Sequence, residues 1–224
     1  MKRPVTIILL VLLIDQCVKF WVKTGMYLGQ EFHVAGNWFI IHFTENNGMA
    51  FGMELLEGPA GKLFLSLFRI FAVLGIGFYL YTLVKKKFNP KLITSMSLIF
   101  AGAMGNILDS IFYGKIFSSS EYQVAKLFPS EGGYANFLHG KVVDMFYFPI
   151  IEGYFPKWFP VWGGQDFVFF RPVFNIADSS ITIGVFMILI FQSTIFHHEK
   201  KEEVQEDNLS DNFLSPEPFV QVQK

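Results

Sequence analysis

The sequence predicts an all-α polytopic membrane protein, four transmembrane helices with a small extracytoplasmic β-rich region. Three observations predict it. The 224-residue chain is 52% hydrophobic, 18% aromatic and only 17% charged, with 28 Phe. That is too apolar for an ordinary soluble domain and rich in the rings that favour membrane interfaces. Four apolar runs, near 4–22, 63–84, 92–113 and 177–196, are each long enough to cross about 30 Å of hydrocarbon as helix. The basic residues, finally, fall where an even number of spans would put them on one side.

The first run follows Lys2 and Arg3. A cleaved leader ending before Cys17 is disfavoured, because Asp15 and Gln16 are not the small residues that cleavage sites use. A retained span is expected, with Cys17 as a small packed side chain inside it. Residues 24–62 form the first outer loop. Within it Phe39-Ile40-Ile41-His42-Phe43 has the β-branched and aromatic content of a strand. Asn46-Asn47-Gly48 and Gly52 then mark a turn or bulge.

The second run carries Arg69, and the basic turn Lys85-Lys86-Lys87-Phe88-Asn89-Pro90-Lys91 leads into the third, which holds Asn106 and Asp109 near its end. Residues 114–176 make a long second outer loop, where Phe167-Val168-Phe169-Phe170 suggests strand or an interfacial surface. The fourth run follows Asp178 directly. Residues 1–198 thus read as a single integral membrane domain, and the acidic segment 199–224 as a disordered tail.

Lys2 and Arg3 precede span one, Lys85, Lys86, Lys87 and Lys91 lie between spans two and three, and Lys200 and Lys201 follow span four. Four spans put all three groups, and both termini, in the cytoplasm. The two long loops then lie outside, with Asp144 and Asp178. A net charge of −1 gives no reason to expect a nucleic-acid partner. One Cys, scattered His and no His-Glu-x-x-His imply neither disulfide nor metal, and no cofactor is expected. No Gly-x-Ser-x-Gly is present for a serine nucleophile.

Asp144 and Asp178 are the candidate catalytic pair. Close carboxylates cannot both ionise cheaply, so one keeps a proton and the other takes one from water. Taken alone, two acids near a membrane also fit a structural reading in which each caps a helix or pairs with a cation. Asn106 and Asp109, and likewise Asn175 and Asp178, are three apart and share a helix face. Asp15 and Lys19 are four apart in the order suited to an ion pair, with Lys19 also able to snorkel outward.

Four separated stretches resemble the lipoprotein signal peptidases, or signal peptidase II. They are Asp15-Gln16-Cys17-Val18-Lys19, Glu45-Asn46-Asn47-Gly48-Met49-Ala50-Phe51-Gly52, Gly102-Ala103-Met104-Gly105-Asn106-Ile107-Leu108-Asp109, and the pair Val142-Val143-Asp144 with Phe174-Asn175-Ile176-Ala177-Asp178-Ser179. Together they cover most of residues 4–196.

The resemblance implies an aspartic endopeptidase of the bacterial inner membrane with Asp144 and Asp178 as its dyad. Asn46, Gly48, Gly105, Asn106, Asp109, Asn175 and Ala177 would line or brace the site, with Asp15 and Lys19 in support. It implies a prolipoprotein substrate whose lipobox Cys carries diacylglycerol, cut just before that Cys. It also implies inhibition by globomycin, and membrane lipid as a partner.

The chain departs from the family pattern where Ser110 follows Asp109 in place of the usual Arg. Arg69, at a similar depth in span two, is expected to supply that cation. Segments 114–140 and 145–173 look extended for the family. The competing readings are a non-enzymatic assembly factor and a small transporter with a proton relay through Asp15 and Asp109.

Overall fold

The computed structural model describes residues 2–47, 59–149, 151–169 and 173–214. Its elements run α1 (Lys2–Gly25), β1 (Glu31–Ala35), β2 (Phe39–Asn46), α2 (Pro59–Lys85), α3 (Pro90–Leu108), a π-helical segment (Asp109–Tyr113), α4 (Gly114–Ile116), β3 (Val142–Tyr147), β4 (Ile151–Tyr154), β5 (Asp166–Phe169) and α5 (Ile176–Leu214). Among the described residues four helices are long and apolar enough to span a membrane: Lys2–Gly25, Ala60–Lys85, Pro90–Ile116 and Ile176–Ile195. The chain is a multi-pass membrane protein with a small β region.

Helix α3 is the hub against which α1, α2 and α5 all pack. Asn89 starts it, its side chain accepting from the Lys91 N–H at 2.9 Å with Pro90 in the first turn. Gly102 lets α5 approach closely, since a Cβ there would collide with the Ala177 carbonyl oxygen. Gly184 does the same from α5, where a Cβ would come within 2.7 Å of the Ser95 carbonyl oxygen. Such close backbone contact is what holds helices together where lipid competes for apolar side chains.

Above one end of the bundle lies a three-stranded antiparallel sheet in the order β1-β2-β3. Thr44, Glu45 and Asn46 of β2 face Asp144, Val143 and Val142 of β3. The backbone of β3 also bonds to Phe174, just before α5 begins. A core of Val22, Met26, Phe43, Tyr113, Phe117, Val143 and Met145 joins the sheet to the ends of α1 and α3. Segment 114–140 is built into this core: Phe117 bridges Leu127, Tyr134 N–H donates to Phe117 O at 3.0 Å, and Gly140 N–H donates to Ser110 O at 2.9 Å. β4 and β5 form a separate hairpin.

Two expectations need correction. Cys17 is exposed on α1 rather than packed inside. In lipid the outer face of a helix is as apolar as its inner face, so hydropathy cannot say which way a residue points. The tail expected to be disordered from 199 is helical as far as Leu214, continuing α5 without a break.

Candidate active site

The α5 N-terminus is built by four residues. Asn175 Oδ1 accepts from the Asp178 N–H at 2.9 Å, and Asp178 Oδ2 accepts from the Asn175 N–H at 3.3 Å. This is a reciprocal cap of the capping-box type, with Asn and Asp in place of Ser and Glu. Asp15, reaching from α1, accepts from the Ala177 N–H at 2.9 Å. It satisfies another open donor and places negative charge at the positive end of the helix. Gly105 leaves room for it, because a Cβ there would lie 2.7 Å from Asp15 Oδ2.

Below this cap lies a buried polar layer. Lys19 Nζ contacts Asp15 Oδ2 at 3.0 Å, Asp109 Oδ2 at 2.8 Å and Asn106 Oδ1 at 2.9 Å. Gln16 Nε2 donates to Asp15 Oδ2 at 3.1 Å and Asp109 Oδ1 at 3.0 Å, while Gln16 Oε1 accepts from the Tyr113 hydroxyl at 3.1 Å. Asp109 Oδ2 also accepts from the Val143 N–H at 3.3 Å, which ties β3 to the π-helical segment. Such segments interrupt α-helices mostly where function needs a side chain redirected.

Two amides connect this layer to the candidate dyad. Asn106 Nδ2 donates to Asp178 Oδ1 at 2.8 Å, and Asn175 Nδ2 donates to Asp144 Oδ1 at 2.7 Å. The amides bond to each other, Asn175 Nδ2 to Asn106 Oδ1 at 3.1 Å. Asn46, at the end of β2, donates to Asp144 Oδ2 at 3.3 Å. Lys19 completes the chain from below through Asn106 Oδ1. Among the described residues every buried side-chain nitrogen and oxygen has a partner, which makes the network rigid and intolerant of deletion.

Asp144 is only 3% exposed, whereas Asp178 is half-buried. Burial, and then the charge of Asp178, push the Asp144 carboxyl up to about 7, outweighing the amide donors of Asn46 and Asn175. The two acids therefore differ in surroundings as an acid–base pair must. Among the described residues no group of three His, Cys, Asp or Glu converges as a metal-ligand set.

The structure thus brings together Asp144, Asp178, Asn46, Asn106, Asp109, Asn175, Ala177, Gly105, Asp15 and Lys19. Gly48 lies outside the described residues. Two expectations are corrected. Lys19 does not snorkel but is fully buried, held by two carboxylates. The cation beside Asp109 is this Lys19, not Arg69, whose field falls on Asp178 and Asp144. A lysine one span away was the nearer partner because Asp15, Lys19 and Asp109 face a common seam between α1 and α3.

Sequence reasoning missed a second buried cluster beside the site. Lys23 is fully buried, pairs with Glu45, contacts Ser120 Oγ at 2.9 Å and lies 4.7 Å from the Tyr134 ring centre. Glu45 Oε2 also meets Lys141 Nζ at 3.3 Å. Glu45 immediately precedes Asn46, so this clamp fixes the end of β2 from which Asn46 reaches Asp144. The signal was present: Asp15, Lys19 and Lys23 recur every four residues, one polar stripe on an otherwise apolar helix.

A family model described as signal peptidase (SPase) II matches residues 7–194. The lipoprotein signal peptidase of Porphyromonas gingivalis is 57% identical over 193 residues, covering 84% of this chain and 82% of that one. That of Amoebophilus asiaticus is 38% identical over 187 residues, covering 82% and 75%. Two solved structures, both described as bacterial membrane enzymes obtained by the in meso method, share the architecture. The one at 2.3 Å has TM-score 0.57 and 26% identity, covering 87% of this chain and 89% of its own. The one at 1.9 Å has TM-score 0.56 and 28% identity, covering 85% and 92%.

Proposed function

This chain belongs to the signal peptidase II family, and from that premise we propose that it removes signal peptides from diacylglyceryl-modified bacterial prolipoproteins, cutting just before the lipidated Cys. The observation that carries the proposal is that Asp144 and Asp178, from a strand and a helix end, are bonded to one amide pair, Asn106 and Asn175. That pair sets the separation of the two carboxylates before substrate arrives.

Asp144, the more buried acid, holds the one proton that the pair keeps. Asp178 takes a proton from water as the water oxygen attacks the scissile carbonyl carbon. Asp144 gives its proton to the carbonyl oxygen, leaving a neutral tetrahedral diol. On collapse the C–N bond breaks, the leaving amine takes the proton from Asp178, and a diol hydroxyl returns one to Asp144. The pair ends as it began, and its titration belongs to both acids together.

The transmembrane signal peptide and the lipid remain in the bilayer, so the scissile bond meets the dyad at the outer hydrocarbon boundary. Residues 38–47 contribute to holding the peptide extended, by strand addition at the sheet, and the rest of the expected stretch, 48–52, lies outside the described residues. The basic residues support a location in the bacterial inner membrane with both termini cytoplasmic and the dyad at the outer face. Residues 1–198 act as one peptidase unit, and cyclic peptides of the globomycin type are inhibitors.

The direct test supplies the purified enzyme with a diacylglyceryl-modified prolipoprotein and with the same chain unmodified. Mass spectrometry should find one new N-terminus at the lipidated Cys and little cleavage of the unmodified chain. Cleavage elsewhere, or none, would overturn the proposal.

A further inference from the structure

A cavity of about 520 Å³ lies at the end of the bundle opposite the dyad, between the start of α1 and the α2–α3 turn. Along α1, about 25 Å of helix rise separates Lys2 from Lys19. Ile7, Val84 and Phe88 are among its apolar lining residues, and Lys2, Arg3 and Lys87 are its cations. Among the described residues that line it none is acidic. Among the described residues, too, no carboxylate pairs with any of the three cations.

Phe88 N–H donates to Leu83 O at 3.0 Å and Lys87 N–H donates to Val84 O at 3.2 Å, the two bonds of a Schellman cap. Phe88 packs against the apolar cluster that contains Leu83, as expected beside such a cap. The left-handed residue of such a cap is usually Gly, yet here it is Lys87, at φ 56°. The fold keeps a cation at the cavity at some backbone cost.

We infer that this cavity seats an anionic glycerophospholipid, its phosphate among Lys2, Arg3 and Lys87 and the start of an acyl chain along Ile7, Val84 and Phe88. Basic pockets between transmembrane helices at a membrane surface have the charge and shape for such headgroups. A free phosphate would satisfy the cations but leave the apolar floor uncovered.

The test uses the full chain in detergent, with lipid retention read by native mass spectrometry. The probes are phosphatidylglycerol, phosphatidylethanolamine and inorganic phosphate as competitor. The wild type should retain phosphatidylglycerol about tenfold over phosphatidylethanolamine. Lys87→Gly should reduce that retention about fivefold, as expected for one surface cation. Because Gly suits a positive φ, the same variant should melt no lower than wild type. Ile7→Trp, which fills the floor and leaves the charges, should also reduce retention.

Equal retention of the two lipids would overturn the inference. So would a Lys87→Gly variant that retains phosphatidylglycerol like wild type. An Ile7→Trp variant that binds normally, or displacement by millimolar phosphate, would leave only a headgroup-sized anion site and overturn the lipid seat.

Discussion

Asn175 Oδ1 accepts the Asp178 N–H at 2.9 Å, and the Asp178 carboxylate accepts the Asn175 N–H at 3.3 Å. The same Asn175 gives its amide to Asp144 at 2.7 Å. One residue thus starts the helix that presents one acid and holds the other. The structural and catalytic readings of these acids are therefore not rivals: Asp178 caps α5 and is linked to Asp144 through Asn106 and Asn175 at once.

Those two roles separate by substitution. Asn175→Ser keeps a good cap residue but loses the amide donor to Asp144. Its thermal midpoint should stay within a few degrees of wild type while cleavage falls on the order of a hundredfold. Asn175→Ala should lose cleavage similarly and also about 1 kcal/mol of stability. Equal cleavage by wild type and Asn175→Ser would show that the amide link is not needed.

Asp144 should make the protein less stable as pH rises. Its carboxyl sits at about 7 against an ordinary value near 3.8, so the folded state binds the proton more tightly than the unfolded state. The stability this provides is full below about pH 4 and is lost as pH rises through about 7. The melting temperature of wild type should fall more between pH 5 and pH 8 than that of Asp144→Asn, which cannot titrate there. Parallel slopes would mean Asp144 is not the proton-holding acid.

Lys19 should be indispensable for folding rather than only for rate. Lys19→Met strands Asp15 and Asp109 in a buried layer and should cost about 3–5 kcal/mol. Adding Asp109→Asn removes one stranded charge, so the double variant should be more stable than Lys19→Met alone. Simple additivity of the two in a thermal-melt cycle would contradict the ion pair.

Much of this arrangement is legible in the sequence. Four apolar runs mark the spans, and breaks in them at Asp15, Asn106 and Asp109 mark residues that must face protein. What is not legible is direction. Cys17 and Lys19 occupy the same run, yet one faces out and the other is fully buried. The choice of Lys19 over Arg69 as the partner of Asp109 depends on how α1 and α2 sit around α3, which periodicity does not specify. The trans cap from Asp15 to Ala177 joins residues far apart in sequence and leaves no local signature.

Gly102 and Gly75 offer a matched test of the helix packing behind the site. A Cβ at Gly102 would collide with the Ala177 carbonyl oxygen, whereas one at Gly75 meets nothing within 4 Å. Gly102→Ala should push α5 from α3, displace Asp178 and lower both melting temperature and cleavage. Gly75→Ala should leave both near wild type. Unchanged cleavage in Gly102→Ala would show that the dyad tolerates movement of α5.

Whether Asp144 and Asp178 together perform the hydrolysis is decided by one assay. Cleavage of a diacylglyceryl-modified prolipoprotein is measured for wild type, Asp144→Asn and Asp178→Asn, each first confirmed to be folded by its thermal melt. Asn keeps the size and most of the hydrogen bonding but cannot exchange the proton. The account predicts cleavage before the lipidated Cys by wild type and a loss of at least about a thousandfold in each variant. Cleavage at the wild-type rate by either folded variant would contradict it.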